Sequence, residues 1–393
     1  MKLIPNDQQL EAIRLGTDWY RSKSKQVFEI AGYAGTGKTT LVNWILKACG
    51  IKKEEGAYVA FVGKAAMVLA QKGLPAKTIH STIYEPIDTP KKDADGKPVY
   101  EDGKLLMTRT FKLKKALDPR LKIIILDEGS MVDSKLFEDL KSFGLPIIVL
   151  GDLHQLPPVF GKSGCLAHPD VTLTEIMRQA EDNPIIHFAT MARTKRFSAF
   201  KYGSYGKVYI GPKEELLRNH RLIKSSNAII CAYNRTRAEL NKYIRREVYG
   251  FPETKLCIGD KLICRENNWN RSLDENTYLI NGMVGFVEDI HLECFTGSSV
   301  MIDFRPEFLS NKMFYDLPID YEYLDMDYLQ KKSYRSMFNK LEYGYAITCH
   351  LSQGSQYKNV LVVNEDLHRG YEAYSRWLYT AITRAIDNLV IAM

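Results

Sequence analysis

The run Gly32-Tyr-Ala-Gly-Thr-Gly-Lys-Thr39 constrains this chain more than any other, because it dictates what flanks it. An apolar stretch, Val27-Phe-Glu-Ile-Ala31, precedes it and a helical pattern, Leu41-Val-Asn-Trp-Ile-Leu46, follows. Strand, glycine loop, Lys, Thr and helix in that order make a P-loop. Gly35 and Gly37 allow positive φ and close approach, so the N–H groups from Ala34 to Thr39 can wrap a phosphate. The helix N-terminus adds its partial positive charge. In such a loop Lys38 reaches the β- and γ-phosphates and the Thr39 hydroxyl holds Mg²⁺. Gly35, Thr36, Gly37, Lys38, Thr39 and Thr40 are therefore the expected ATP-binding set. A glycine turn that binds nothing is the competing reading, and the strand–loop–helix context disfavours it.

At 393 residues the chain has room for about two or three domains. Hydrophobic content of 45% with 26% charged residues is that of an ordinary globular protein. No apolar run reaches membrane-spanning length, and the N-terminus lacks a signal-like stretch. A cytoplasmic protein with no membrane partner is expected. The cysteines at 49, 165, 231, 257, 264, 294 and 349 form no CxxC pair, so buried free thiols are expected rather than a zinc site or disulfides. Net charge is only +7, but Lys104, Arg109, Lys112, Lys114, Lys115, Arg120 and Lys122 cluster, while Asp316, Asp320, Glu322, Asp325 and Asp327 form an acidic block. That asymmetry favours a polyanion partner on one face; a soluble protein with excess lysine is the bland alternative.

Neither internal repeats nor low-complexity tracts stand out. The first half alternates candidate strands at 27–31, 58–62, 122–126, 146–150 and 171–173 with helical patterns at 39–48, 64–72 and 134–142, as a parallel sheet requires. Turn signals at 93–96 and 101–103, with alternation over Leu106–Leu113, read as a β-hairpin inserted at 84–115, or else as a surface loop. A second α/β pattern starts at Ala228-Ile-Ile-Cys-Ala232, continues as a helix over Thr236–Val248, resumes near Tyr343 and ends at Leu389-Val-Ile-Ala392. Between its halves, 251–339 is β-rich and fits a small inserted barrel.

Ile123-Ile-Ile-Leu-Asp127-Glu128 is an apolar strand ending in two carboxylates, expected at the sheet edge where α/β proteins bind ligands. Asp127 would hold Mg²⁺ through water and Glu128 would polarise the attacking water. Ile147–Gly151 leads into Asp152-Leu-His154-Gln155-Leu-Pro-Pro158, where Gln155 both donates and accepts and suits a γ-phosphate sensor. His154 reads as a strand-end packing residue rather than a base.

The order P-loop, Asp-Glu-x-Ser-Met, Gly-Asp-x-x-Gln-Leu-Pro-Pro and Tyr-x-x-Ile-Thr-Arg resembles a superfamily 1 helicase, and more narrowly the RecD-like, or phage Dda-like, group. The likeness runs from Gln9 to the C-terminus. It implies an α/β fold of two RecA-like parallel-sheet P-loop domains, 1–84 with 116–180 and 181–250 with 340–393. The hairpin pin (85–115) and an SH3-like β-barrel (251–339) are the insertions. The resemblance assigns Gln9 to adenine and Gly354 to the nucleotide. Arg178 and Arg384 become arginines facing the γ-phosphate, beside Lys38, Asp127, Glu128 and Gln155; surface ion pairs are the bland reading of both arginines. Phe61, Lys64, Thr78, His80, Asn234, Thr348, His350, Ser352 and Gln353 match loops that grip one strand's backbone, with little sequence preference. Val62 and Leu351 stand where relatives usually have Thr and Lys, each removing a phosphate partner, and Gly129 is unusual within its motif.

The resemblance further implies a monomer using ATP and Mg²⁺ on single-stranded DNA and duplex junctions, moving 5′ to 3′. Tyr100 would stack near the pin tip, with replication or single-strand-binding proteins as partners. Two alternatives stay open: a nucleic-acid-stimulated ATPase that remodels protein–DNA complexes without unwinding, and an RNA-directed helicase. A metabolic P-loop kinase leaves the second sheet and its late arginine without a purpose.

Overall fold

The computed structural model describes residues 4–393 apart from 72, 91–95, 99, 102–103, 106, 158–163, 178–181, 253–254, 275–276, 297–298, 308, 310, 327–329, 332–333, 335–337 and 368–369. The chain divides into two units, Met1–Leu153 with Pro157–Glu175, and His154–Leu156 with Ile176–Met393.

The first unit is built on strands β1 (Val27–Gly32), β2 (Gly56–Ala60), β3 (Ala76–Thr78), β8 (Ile123–Asp127), β9 (Ile147–Gly151) and β10 (Val171–Leu173). They form one parallel sheet in the order β10-β1-β9-β8-β2-β3. Both faces are covered, so the central strands read as unbroken apolar runs rather than alternating ones. Ile123 and Ile125 face a core with Trp19, Leu41 and Ile45, whereas Ile124 and Leu126 face another with Ile79, Leu136 and Leu140. Full burial of each such side chain is worth about 1.5–3 kcal/mol. β2 stops at Ala60, so Phe61 and Val62, expected within that strand, instead form the bend before the helix Gly63–Gln71.

Between β3 and β8 run β4 (Tyr84–Pro90), β5 (Tyr100–Glu101), β6 (Lys104–Leu105) and β7 (Met107–Leu113). β4 pairs antiparallel with β7 from Tyr84↔Leu113 to Pro90↔Met107, and β5 pairs with β6. Lys114 anchors the base of this ribbon by donating to the carbonyls of Ser81 (3.0 Å) and Thr82 (2.8 Å), near the end of the helix Ile79–Ile83. Much of the basic cluster is thereby accounted for structurally. Lys114 serves the helix, Arg120 pairs with Asp118 and Lys122 with Glu55, while Lys112 and Lys115 are exposed.

The second unit contains β11 (Gly203–Tyr205), β12 (Val208–Gly211), β13 (Ala228–Cys231), β21 (Ala346–Thr348), β22 (Tyr357–Val363) and β23 (Ala385–Ala392), in the order β11-β12-β23-β22-β13-β21. All neighbours are parallel except β11 with β12. The helix Asn234–Tyr243 runs on as a π-turn over Ile244–Val248.

Inserted between β13 and β21 is an antiparallel sheet, β19-β18-β17-β14-β20, made of β14 (Lys261–Cys264), β17 (Val284–Thr296), β18 (Ser299–Pro306), β19 (Phe314–Asp320) and β20 (Leu341–Tyr343). β15 (Asn268–Asp274) and β16 (Thr277–Leu279) pair separately. β20 lies past the expected boundary at 339, and only Gly344 and Tyr345 separate it from β21. A Cβ on Gly344 would stand 3.0 Å from the Leu262 carbonyl carbon. Tyr345 Oη donates to Asp260 at 2.9 Å, and Tyr343 packs against the cores of both sheets. Cys165, Cys231, Cys264 and Cys349 are buried free thiols; Cys49 and Cys257, also free, are partly exposed.

Candidate active site and nucleic-acid interface

In the first unit the carboxyl ends of the parallel strands bring most of the expected residues to one edge. Gly35 (φ 84°) and Gly37 (φ 78°) take the left-handed conformations that shape the loop, and the helix Lys38–Ala48 starts directly after it. Gly32 also admits no side chain, since a Cβ there would lie 2.7 Å from the Thr36 hydroxyl. Thr36 Oγ1 donates to the Tyr33 carbonyl at 2.8 Å. Lys38 Nζ donates to the carbonyls of Gly32 (2.6 Å) and Tyr33 (3.2 Å), tying the ammonium to the start of the loop. Thr39 and Thr40 are partly exposed on the first turn of the helix.

Gln9 is joined to this loop. Its side chain completes a capping box with Asn6, accepting from Asn6 N at 3.1 Å, while its Nε2 donates to the Thr36 carbonyl at 3.0 Å. It is 1% exposed. One amide hydrogen and one lone pair remain beyond these bonds, the pair an adenine edge takes.

Asp127 ends β8, with β9 lying between it and β1. Two strand spacings, about 10 Å, therefore separate β8 from the P-loop strand. Asp127 Oδ1 accepts the Glu128 N–H at 2.9 Å, and Glu128 adopts φ 53°, ψ 41°. A non-glycine residue in that region costs about 1–2 kcal/mol, a strain typical of working sites. Gly129 is required by packing: a Cβ would stand 2.4 Å from Val149 Cγ1, and its carbonyl accepts from Cys165 Sγ. Beside it, Ser130 Oγ is a buried hydroxyl without a hydrogen-bond partner among the described residues. The Thr39 hydroxyl and the Asp127 carboxylate offer hard oxygen donors, the set Mg²⁺ takes.

The Gly-Asp-x-x-Gln segment divides. Gly151 and the buried Asp152 stay with the first unit, and a Cβ on Gly151 would overlap Leu166. His154, Gln155 and Leu156 group with the second. His154 packs edge-on against Tyr379 and its Nε2 lies 3.1 Å from Ser375 Oγ, a packing role. Leu156 donates to Thr380 Oγ1 (3.0 Å) and accepts from Gln353 Nε2 (2.8 Å), which sets the buried Gln155 beside the helix Tyr371–Ile382. That helix delivers Arg384, which is 3% exposed. Its guanidinium donates to the carbonyls of Thr380 (3.1 Å) and Ser355 (3.2 Å) and to Thr383 Oγ1 (3.2 Å). Gly354 has φ 69°. Arg178 lies outside the described residues, as does the side chain of Tyr100.

The residues expected to contact nucleic acid lie at equivalent strand ends of the two sheets. Thr78 ends β3, paired with Ala60, and its hydroxyl caps the helix Ile79–Ile83. His80 is half-buried with its ring 5.4 Å from Tyr84, and burial lowers its pKa against the pull of Asp133. Phe61 packs against the core and Lys64 is 7% exposed, both less open than a phosphate contact suggests. Thr348 ends β21, paired with Cys231, and caps the helix Cys349–Ser352, on which His350 is exposed; Ser352 Oγ turns back to the Cys349 carbonyl. Asn234 starts the next helix. Glu365, absent from the expected contact residues, organises this turn by accepting from Ala232 N (2.6 Å) and the Thr236 hydroxyl.

Two family models match: an AAA domain over residues 5–210, just over half the chain, and a UvrD-like helicase C-terminal domain over residues 343–392. The chain is similar to the ATP-dependent DNA helicase dda of Enterobacteria phage T4, 28% identical over 270 residues, covering 62% of this chain and 57% of that protein. It is also similar to the ATP-dependent RecD2 DNA helicase of Deinococcus radiodurans, 25% identical over 387 residues, covering 92% and 46% respectively. The chain thus spans about half the length of these curated relatives. A Pif1 helicase from Bacteroides, solved in complex with ADP-AlF3 and ssDNA, shares its fold with a TM-score of 0.54 at 18% identity, over 99% of this chain and 92% of that one. Among the described residues no helix is long and apolar enough to cross a membrane.

Proposed function

The chain belongs to the AAA-domain family and to the superfamily 1 helicases of the Dda- and RecD-like group, and from that premise we propose that it is an ATP-dependent DNA helicase working in the cytoplasm. The observation that carries the proposal is the edge of the first sheet. There a P-loop bonded to the adenine-suited Gln9, the Asp127–Glu128 pair and the Thr78 turn all follow the carboxyl ends of strands in one parallel sheet.

Lys38 binds the β- and γ-phosphates, and Glu128 orients the attacking water. Thr39 and Asp127 would hold Mg²⁺, which when bound supplies positive charge against the phosphate oxygens. Arg384 stabilises charge on the transferring phosphoryl, helped by Arg178, and Gln155 senses the γ-phosphate. The three acceptors around the Arg384 guanidinium support this, because they fix its plane before any ligand arrives. Thr78, His80, Asn234, Thr348 and His350 grip the backbone of single-stranded DNA, one set from each unit, and the cycle of hydrolysis moves the protein 5′ to 3′. The ribbon β4–β7 with its tip at β5–β6 splits the duplex, and the antiparallel sheet of the second unit is an SH3-like module.

Forked duplexes with one single-stranded tail at a time test the whole reading. The expected result is ATPase activity stimulated by single-stranded DNA and unwinding only with a 5′ tail, both abolished by Lys38→Ala. Hydrolysis that persists in Lys38→Ala would overturn it. Hydrolysis without unwinding, unchanged by deleting 90–105, identifies a remodelling ATPase instead, and stronger stimulation by RNA identifies an RNA-directed enzyme.

A further inference from the structure

Two arginines lie eight residues apart beside the inserted sheet, and the fold treats them differently. Arg245 is fully provided for. Its Nε and Nη2 reach both Asp260 oxygens at 2.7 and 2.9 Å, Nη1 donates to Pro252 O at 2.8 Å and Nη2 to Lys255 O at 2.6 Å, and the Tyr343 ring lies 4.2 Å away. Arg237 is buried almost as deeply, its side chain 5% exposed, yet among the described residues its Nε has no hydrogen-bond partner and its Nη1 bonds the Glu342 carboxylate alone.

Glu342 is heavily oversubscribed. Arg265 Nε lies 3.3 Å from its Oε2 and Lys331 Nζ 3.8 Å from its Oε1, besides the Arg237 contact. Nε and Nη1 of Arg265 likewise lack hydrogen-bond partners among the described residues. Burial would raise the Glu342 carboxyl, but Arg265, Arg237 and Lys331 outweigh it and hold the pKa below the ordinary value. Among the described residues, three cations thus face one carboxylate where desolvation makes unbalanced charge costly. Arg237, Lys242, Lys331 and Glu342 line a cavity of about 130 Å³, and Lys242 is exposed, so the cavity is open to solvent on that side. It is well below the several hundred Å³ of a nucleotide-sized pocket.

We propose that this cavity binds a single phosphate-like oxyanion, which accepts from the orphaned Arg237 Nε and balances the surplus charge around Glu342. The oxyanion is either free phosphate or one phosphodiester of a bound strand. This site is distinct from the P-loop and does not depend on the helicase reading.

Inorganic phosphate, compared with chloride at matched ionic strength, is the probe, and the thermal midpoint of the full chain carrying Lys38→Ala is the readout. Bound phosphate stabilises the folded state by mass action. The midpoint is expected to rise saturably with phosphate. Adding Arg237→Met should abolish the rise, and adding Glu342→Gln, which removes the competing carboxylate, should tighten phosphate binding severalfold. A purely structural cluster would give no such gain. Should Arg237→Met fail to fold, Lys331→Met is the substitute and should weaken the response severalfold. Competition between phosphate and a single-stranded oligonucleotide, with a salt slope lowered by about one in Arg237→Met, assigns the site to a phosphodiester; unchanged oligonucleotide binding assigns it to free phosphate. A midpoint indifferent to phosphate, or a response that survives Arg237→Met and Lys331→Met alike, overturns the proposal.

Discussion

Thr78 and Thr348 hold the same position in their respective sheets. Each ends an edge strand, faces the last residue of its neighbouring strand (Ala60 and Cys231), and caps a short helix with its hydroxyl. Their backbone angles agree, −73°, 154° against −74°, 154°, and a histidine follows two residues later in both. Two halves without a visible sequence repeat have arrived at one turn.

Replacing either threonine by alanine removes an N-cap, a loss of about 1 kcal/mol, and also the hydroxyl proposed to meet a phosphate. Thr78→Ala and Thr348→Ala should weaken oligonucleotide binding by similar factors without altering its salt slope, since no charge is removed. Serine at either position should restore both properties. Fluorescence titration across salt concentrations measures this, and losses differing by more than about tenfold would argue against equivalence.

Gln9→Ala should act twice. Loss of the capping box and of the bond to Thr36 lowers stability by about 1–2 kcal/mol, and the KM for ATP rises. A thermal melt reads the first effect and steady-state ATPase the second. An unchanged KM would leave Gln9 a purely structural residue.

Gly129→Ala places a methyl 2.4 Å from Val149 Cγ1. Overpacking of this kind costs about 1–3 kcal/mol, and it would displace the Asp127–Glu128 turn. Lower denaturant midpoint and lower kcat should therefore appear together. Full activity in a destabilised protein would separate the packing from the chemistry.

Arg384→Lys keeps the charge but loses the planar fork that meets three acceptors. If the guanidinium acts on the transferring phosphoryl, kcat should fall by about 10³ or more, with little change in KM. A fall smaller than tenfold would make Arg384 a structural arginine.

The imidazole of His291 sits 3.0 Å from Asp303, and that hydrogen bond raises its pKa despite some desolvation, with Asp303, Asp316 and Asp289 adding attraction. The folded pKa therefore lies above the unfolded one. The stabilisation is complete below the unfolded pKa, about 6.5, and disappears as pH rises through the folded value. His291→Gln should flatten the fall of the melting midpoint as pH rises above about 6.5; a wild-type midpoint that climbs there contradicts the assignment.

The proposed nucleotide edge is legible in the sequence because each part announces itself locally. Glycines at 35 and 37, an apolar strand ending in Asp127 and a strand ending in Gly151 need only short-range pattern to be read. Elements that depend on distant partners are not. Ala76-Lys-Thr78 is too short and polar to signal a strand, and exists because β2 offers it an open edge. Glu365 holds the Asn234 turn from more than 130 residues away in sequence, which no local spacing reveals. Gly129, odd within its motif, makes sense only once Val149 and Cys165 lie against it.

A two-residue connection, Gly344-Tyr345, joins the antiparallel sheet to the edge strand that ends in Thr348, with the tyrosine pinned to Asp260 and the glycine wedged against Leu262. So tight a splice leaves no slack for a hinge. Displacement of the inserted sheet therefore bears directly on the strand that ends in Thr348, and excising or exchanging the module as a cassette would disturb the edge of the sheet that carries it.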